Sequence, residues 1–205
     1  LGADMVAYAE SAELAEKGFL TSSCCPAFVD YVNKAFPALS EHISHNLSPM
    51  ATIAKYIKER EEKVKIVFIG PCTAKKMEVQ KDAVKPYVDS AITFEELQAL
   101  FDSKDIDITA LDEDILDNAS YFGRIFARCG GLAEAVAESL KEQGITEEQF
   151  KLNAVACDGI ANCRMALLKA QSGKREENFI EGMACINGCI GGAAALSHGP
   201  KNRLA

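Results

Sequence analysis

The chain is 205 residues long, 48% hydrophobic, and carries a formal net charge of −8. That length supports one substantial core in a single unit over residues 1–205, and the acidic balance excludes a nucleic-acid surface, which wants clustered Lys and Arg. No apolar run approaches the ~20 residues a membrane span requires, so no membrane segment is expected.

The predicted elements alternate apolar β-branched runs with amphipathic stretches, an α/β pattern with mainly parallel sheets flanked by helices. Met5 to Lys17 is Ala- and Glu-rich and reads as a helix. Pro26 opens a second helix to about Phe36, and Ser48 a third to Glu61. Lys65 to Ile69 reads as a buried strand that delivers Gly70-Pro71-Cys72 at its C-terminal end, where open α/β sheets place functional loops. Tyr87 to Ala91 reads as another strand. Thr93 followed by Glu95-Glu96 gives a capping-box start to a helix ending near Phe101. Asp102 to Asp117 is acidic and aperiodic, hence loop. Helices over Leu132–Gln143 and Gly159–Ala170 bracket a strand at Leu152–Cys157. Phe179 to Met183 is extended, and the Gly/Ala-rich residues after Cys189 are expected to run into a helix.

Eight cysteines carry the functional signal. In a large, patterned chain with no leader peptide they point to a reducing, cytoplasmic setting over a disulfide framework. The absence of an initiator Met at Leu1 suggests that the natural protein extends upstream. Cys24-Cys25 sits in Thr21-Ser22-Ser23-Cys24-Cys25-Pro26. Cys72 sits in Gly70-Pro71-Cys72-Thr73-Ala74-Lys75-Lys76-Met77-Glu78. Cys185 and Cys189 sit in the segment from Glu181 to Gly192. Soft thiolates among Gly, Pro and small residues suit an iron–sulfur cluster, because small residues let backbone approach closely. Adjacent cysteines normally point in different directions, which makes Cys25, Cys72, Cys185 and Cys189 a four-thiolate set and leaves Cys24 as a free thiol beside it. Plain burial is the alternative for any cysteine, and is the expected reading of Cys129, Cys157 and Cys163. A zinc site usually draws on CxxC knuckles, and none is present.

The three segments resemble the three signature loops of iron–iron hydrogenases, which run roughly TSCCP, PCxxKxxE and ExMACxxGCxxGG, in the right order. The resemblance implies two α/β lobes with a cluster in the cleft between them. Cys25, Cys72, Cys185 and Cys189 would hold a 4Fe-4S cubane. Cys189 would also bridge to a two-iron subcluster carrying CO, cyanide and a bridging dithiolate; the composite is the family's H-cluster. Lys75 matches the lysine that hydrogen-bonds a cyanide ligand, with Glu78 orienting its neighbours and Lys76 facing solvent. Cys24 resembles the terminal proton-shuttle thiol. Glu10 and Glu13, three apart on one helical face, match two relay glutamates, and Ser44 falls where the relay serine falls. Met183 resembles a methionine near the bridging ligand, and Phe126 a pocket-wall phenylalanine; core packing explains both equally well.

The implied activity is 2H⁺ + 2e⁻ ⇌ H₂, with a ferredoxin-like electron carrier and dedicated maturation proteins as partners. The alternatives are a hydrogenase-like H₂ sensor and a non-catalytic 4Fe-4S carrier or assembly protein. Gly70 stands where Met is common in the family and is expected to open space there. The last loop ends Gly191-Gly192-Ala193-Ala194 in place of a longer Gly run. The family's upstream pocket-lining segment and accessory ferredoxin-like domains are not visible. His42, His45 and His198 are unclustered and read as surface or capping residues.

Overall fold

A computed structural model describes residues 1–115 and 119–196. In chain order the elements are α1 (Gly2–Lys17), β1 (Leu20–Thr21), α2 (Pro26–Ala35), α3 (Pro49–Lys58), β2 (Val67–Gly70), α4 (Ala74–Glu78), β3 (Ser90–Thr93), α5 (Phe94–Asp102), α6 (Tyr121–Ile125), α7 (Gly131–Glu142), β4 (Ala154–Asp158), α8 (Gly159–Gln171) and β5 (Phe179–Met183). Two small parallel sheets result. One has the order β1-β5-β4, and the other pairs β2 with β3. None of the described helices is long and apolar enough to cross a membrane.

Strand alternation explains the layering of the larger sheet. Phe179 turns to one face, into a core with Val6, Leu14, Leu132 and Val136 from α1 and α7. Its neighbour Ile180 turns to the other, among Phe28, Val32, Cys163 and Leu167 from α2 and α8. All five residues of β5 are buried, as the central strand of a sheet covered on both faces must be. Each fully buried Phe or Ile contributes about 1.5–3 kcal/mol of apolar transfer energy. The smaller sheet packs one face on a third core of Met50, Ala51, Ala54, Val79, Val84 and Val88.

The expected element types hold with local corrections. The first helix starts at Gly2, and the capping box is made by Thr93 and Glu96. The strand expected at Tyr87–Ala91 instead begins at Ser90, because Tyr87 and Val88 donate their backbone N–H to Val84 in turns that bury Val84 and Val88. The strand expected to be buried at Lys65–Ile69 is half-exposed: Val67 and Ile69 face outward at 49% and 42% exposure, and Ile66 and Phe68 pack inward. No α-helix follows Cys189 among the described residues. The chain makes a 3₁₀ turn at Gly188–Gly191, and Ala194 then donates to the Pro71 carbonyl. The short elements β1, α4 and α6 were not foreseen. Asp117, the end of the acidic loop, and His198 lie outside the described residues.

Gly182 in β5 has no room for a side chain, since a Cβ there would sit inside the Phe28 ring. Gly182→Ala is expected to destabilise the fold by about 1–3 kcal/mol through overpacking. Thermal unfolding would then begin several degrees lower, at about 2–4 °C per kcal/mol for a chain of this size. An unchanged melting temperature would contradict the packing described.

Candidate metal centre and acid–base chain

The three cysteine segments leave the C-terminal ends of β1 and β5 in the larger sheet and of β2 in the smaller one, where parallel strands place their functional loops. Hydrogen bonds then tie them together. Ser22 donates its N–H to Ile180 O at 2.9 Å, and its hydroxyl accepts from Gly182 N at 3.0 Å, joining the first segment to the third. Ala194 N donates to Pro71 O at 3.1 Å, joining the third to the second. Lys75 Nζ donates to Cys24 O at 3.4 Å, joining the second to the first. Gly192 belongs to the same contact, because a Cβ there would collide with the Pro71 carbonyl.

All eight cysteines are free thiols. Cys25, Cys72, Cys185 and Cys189 are half-buried, and their thiols act on one another. Burial pushes Cys189 up to about 12; the neighbouring Cys25, Cys72 and Cys185 add to that, and the Lys75 ammonium opposes it. Cys185 is raised by burial and by Cys25 and Cys72. Cys185 and Cys189 are thus held as thiols, and thiolate binding to a cationic centre would release their protons. Among the described residues no three His, Cys, Asp or Glu side chains are set to hold a single metal ion. The donor set fits a cubane, in which each thiolate binds a different iron.

Cys189 is positioned from below. Its N–H donates to Ala127 O at 2.7 Å. Gly188, at φ +75°, fits only because a Cβ would strike Met183 Sδ, Ala127 O and Cys129 N. The loop from Ala127 to Gly131 is in turn pinned by Glu181, fully buried in β5, whose carboxylate accepts from Gly130 N and Ala133 N at 2.8 Å each. Glu181 stood in the third motif without an assigned role. The signal for it is a lone acid inside the apolar run from Phe179 to Met183, since a charge there must find partners.

Lys75 is buried and paired with Glu78 at 2.6 Å, both side chains being about one-tenth exposed. Glu78 thus holds the ammonium, while Lys76 on the outside pairs with Glu96. Met183 is buried against Gly188. Phe126 lies in the α1–α7 core, on which Cys24 also packs. Of the cysteines expected to be buried, Cys157 and Cys163 are, whereas Cys129 is half-buried. Gly70 does not open space: a Cβ there would meet the Phe68 ring at 2.7 Å, so Phe68 occupies that volume.

Glu10 and Glu13 share a face of α1 but not an environment. Glu10 is completely buried, and neither carboxyl oxygen has a hydrogen-bond partner among the described residues. Burial pushes its carboxyl up to about 8; the nearby Ser44 hydroxyl and Ser23 backbone partly oppose this, and the Glu13 and Glu181 charges reinforce it. Burial, then the Glu10 charge, likewise raises the Cys24 thiol. Glu13 sits at the rim, accepting from Ser44 Oγ at 3.2 Å, Asn46 Nδ2 at 2.9 Å and Lys17 Nζ at 2.8 Å. Burial would raise Glu13, but the hydrogen bonds of Lys17 and His45 and the Lys17 charge outweigh it and hold the carboxyl below its ordinary range. Along this cluster Glu10 is fully enclosed, Ser44 is nearly so and Glu13 lies at the rim, with the half-buried Cys24 near Glu10. Asn46, Lys17 and His45 were not foreseen in this cluster, although Lys17 follows Glu13 by one helical turn.

The family profile described as "Iron only hydrogenase large subunit, C-terminal domain" matches residues 1–193. The chain belongs to the iron-only hydrogenase family. Iron hydrogenase 1 of Clostridium pasteurianum is 27% identical over 98% of this chain and 43% of its own length. The cytosolic Fe-S cluster assembly factor NAR1 of Botryotinia fuckeliana is 32% identical over 59% of this chain and 25% of its own. The chain thus spans less than half the length of these relatives. Apo [FeFe]-hydrogenase HydA1 from Chlamydomonas reinhardtii superposes with a TM-score of 0.77 at 22% identity, over 98% of this chain and 70% of that one. The α/β fold with parallel sheets flanked by helices is shared.

The buried Glu10 sets a pH dependence. Its carboxyl keeps its proton in the fold up to about 8, but loses it near 4.5 in the unfolded chain. The folded state therefore binds more protons in that window, so stability is full below the lower value and is lost as pH rises toward the upper one. Glu10→Gln is expected to stabilise the fold at pH 8 by about 4 kcal/mol and to change little at pH 4.5. Urea unfolding at the two pH values checks this; equal effects at both would contradict it.

Proposed function

We propose that this chain is the H-cluster domain of a hydrogenase catalysing 2H⁺ + 2e⁻ ⇌ H₂. What carries the reading is one juxtaposition: the three mutually bonded cysteine segments lie beside a graded set of acids running from Cys24 to the surface. Cys25, Cys72, Cys185 and Cys189 would hold the cubane, with Cys189 shared with the two-iron unit. When bound, the H-cluster supplies electron storage and the making and breaking of the H–H bond.

The protein's own residues supply the rest. Lys75, held by Glu78, presents a buried ammonium suited to an anionic diatomic ligand such as cyanide. Cys24, the thiol outside the cubane set, would exchange protons at the reacting side. In H₂ evolution Glu10, protonated at neutral pH, would hand its proton to Cys24 and regain one through Ser44 and Glu13, and H₂ oxidation would run the same steps in reverse. Met183 and Phe126 would wall the pocket with apolar surface. A ferredoxin-like carrier would exchange electrons, and maturation proteins would build the two-iron unit.

One observation favours a second reading. The match to NAR1 has higher identity than the match to the clostridial hydrogenase, over a shorter stretch, which supports a cluster carrier in iron–sulfur assembly. A cubane alone has no use for the Lys75 ammonium or the acid chain, and on that ground the hydrogenase reading is preferred.

Infrared spectra of protein co-expressed with hydrogenase maturation enzymes decide between them. Bands in the CO and CN stretching region are expected, and they should disappear in Lys75→Met. A loaded cubane without such bands in the unmodified chain would establish the carrier reading. In the banded protein, Cys24→Ser is expected to lower H₂ evolution by about 10²-fold or more, the usual scale for a positioned acid–base group. Undiminished evolution would remove Cys24 from the path.

A further inference from the structure

His45 stands at the outer end of the acid chain. Its Nδ1 lies 2.6 Å from Glu13 Oε1 and 2.7 Å from Lys17 Nζ. The side chain is 70% exposed, while that of Glu13 is only 14% exposed. His45 also donates its backbone N–H to Glu13 at 3.1 Å, which fixes the ring beside the carboxylate. A single imidazole nitrogen cannot be donor and acceptor at once. Protonated, Nδ1 donates to Glu13; neutral, it accepts from the Lys17 ammonium. Either state finds its partner already in place, so a proton can come and go without rearrangement of the loop.

We propose that His45, clamped between Glu13 and Lys17, is the group that exchanges protons between bulk solvent and the acid chain. The proposal rests on the hydrogenase reading. For inward transfer, the imidazolium gives its Nδ1 proton to Glu13 Oε1, leaving a carboxylic acid whose other oxygen faces Ser44. The neutral ring, still bearing its Nε2 proton, then accepts from Lys17 at Nδ1 until a solvent or buffer acid returns a proton there. Lys17 remains an ammonium throughout, and H₂ oxidation runs the same steps in reverse. The charged groups facing His45 are Glu13 and Lys17, both from α1; Ser44 and Asn46 flank it from its own loop. Imidazole is suited to this place because its unperturbed titration falls near neutral pH.

Two measurements test the proposal. Nitrogen-15 NMR of the whole chain follows the His45 ring through a pH titration. The midpoint is expected to fall in Glu13→Gln and to rise in Lys17→Met, as loss of a neighbouring anion or cation requires. A midpoint unmoved by either substitution would overturn the clamp. In maturase-loaded protein assayed in dilute buffer, His45→Ala is expected to slow H₂ evolution roughly tenfold, less than for a group at the reacting atoms. Added imidazole should restore the rate, with CO and CN bands unchanged. An undiminished rate, or a loss that imidazole does not repair, would overturn the role. Absence of bands from the unmodified chain would instead refute the hydrogenase reading, and the NMR titration would still decide the clamp.

Discussion

Everything in the candidate site depends on bringing thiols together where burial opposes their charging as thiolates. Burial and mutual proximity raise Cys185 and Cys189, and the Lys75 ammonium pulls Cys189 the other way. Backbone hydrogen bonds bear that cost. Ser22 binds β5, Ala194 binds Pro71, and Lys75 binds Cys24 O, so each segment is held by the other two. The glycines at 182, 188 and 192 let those backbones approach, and Glu181 fixes the loop on which Cys189 rests.

The same frame grades the electrostatics along α1. Glu10 and Glu13 are one helical turn apart, yet burial raises the first while Lys17 and His45 lower the second. A proton is thus held near Cys24 and given up near solvent, an ordering that a proton path requires and that two surface glutamates would not provide. The Lys75–Glu78 pair serves the opposite purpose. It keeps one fixed positive charge beside the thiols, and removing either partner would strand the other in a buried setting, typically at a cost of about 3–5 kcal/mol.

The cysteine motifs were legible in the sequence because their information is local: a strand end, a Gly- or Pro-lined turn and a thiol within a few residues. Helices such as α5 and α7 were equally legible from capping and periodicity. What the sequence concealed was set by contacts between distant segments. Gly191 to Ala195 reads as helical from its alanines, but Gly192 and Ala194 are committed to Pro71 in the second cysteine segment. Val67 and Ile69 read as buried because a β-branched run does not reveal which face a sheet leaves open. Gly70 read as a space-making departure, whereas Phe68 two residues earlier fills the volume. The proximity of His45 to Glu13 crosses from a loop to a helix, and no spacing rule encodes it, whereas Lys17 lies one helical turn from Glu13 on the same face.

The central claim is that these four cysteines, and not the other four, enclose one iron–sulfur centre. Anaerobic reconstitution with iron and sulfide, followed by iron counting and electron paramagnetic resonance of the reduced protein, tests it directly. About four irons per chain are expected, as a cubane requires, with the signal lost on serine substitution at Cys25, Cys72, Cys185 or Cys189 and kept at Cys129, Cys157 or Cys163. Retention of the signal in the first group, or its loss in the second, would contradict the account.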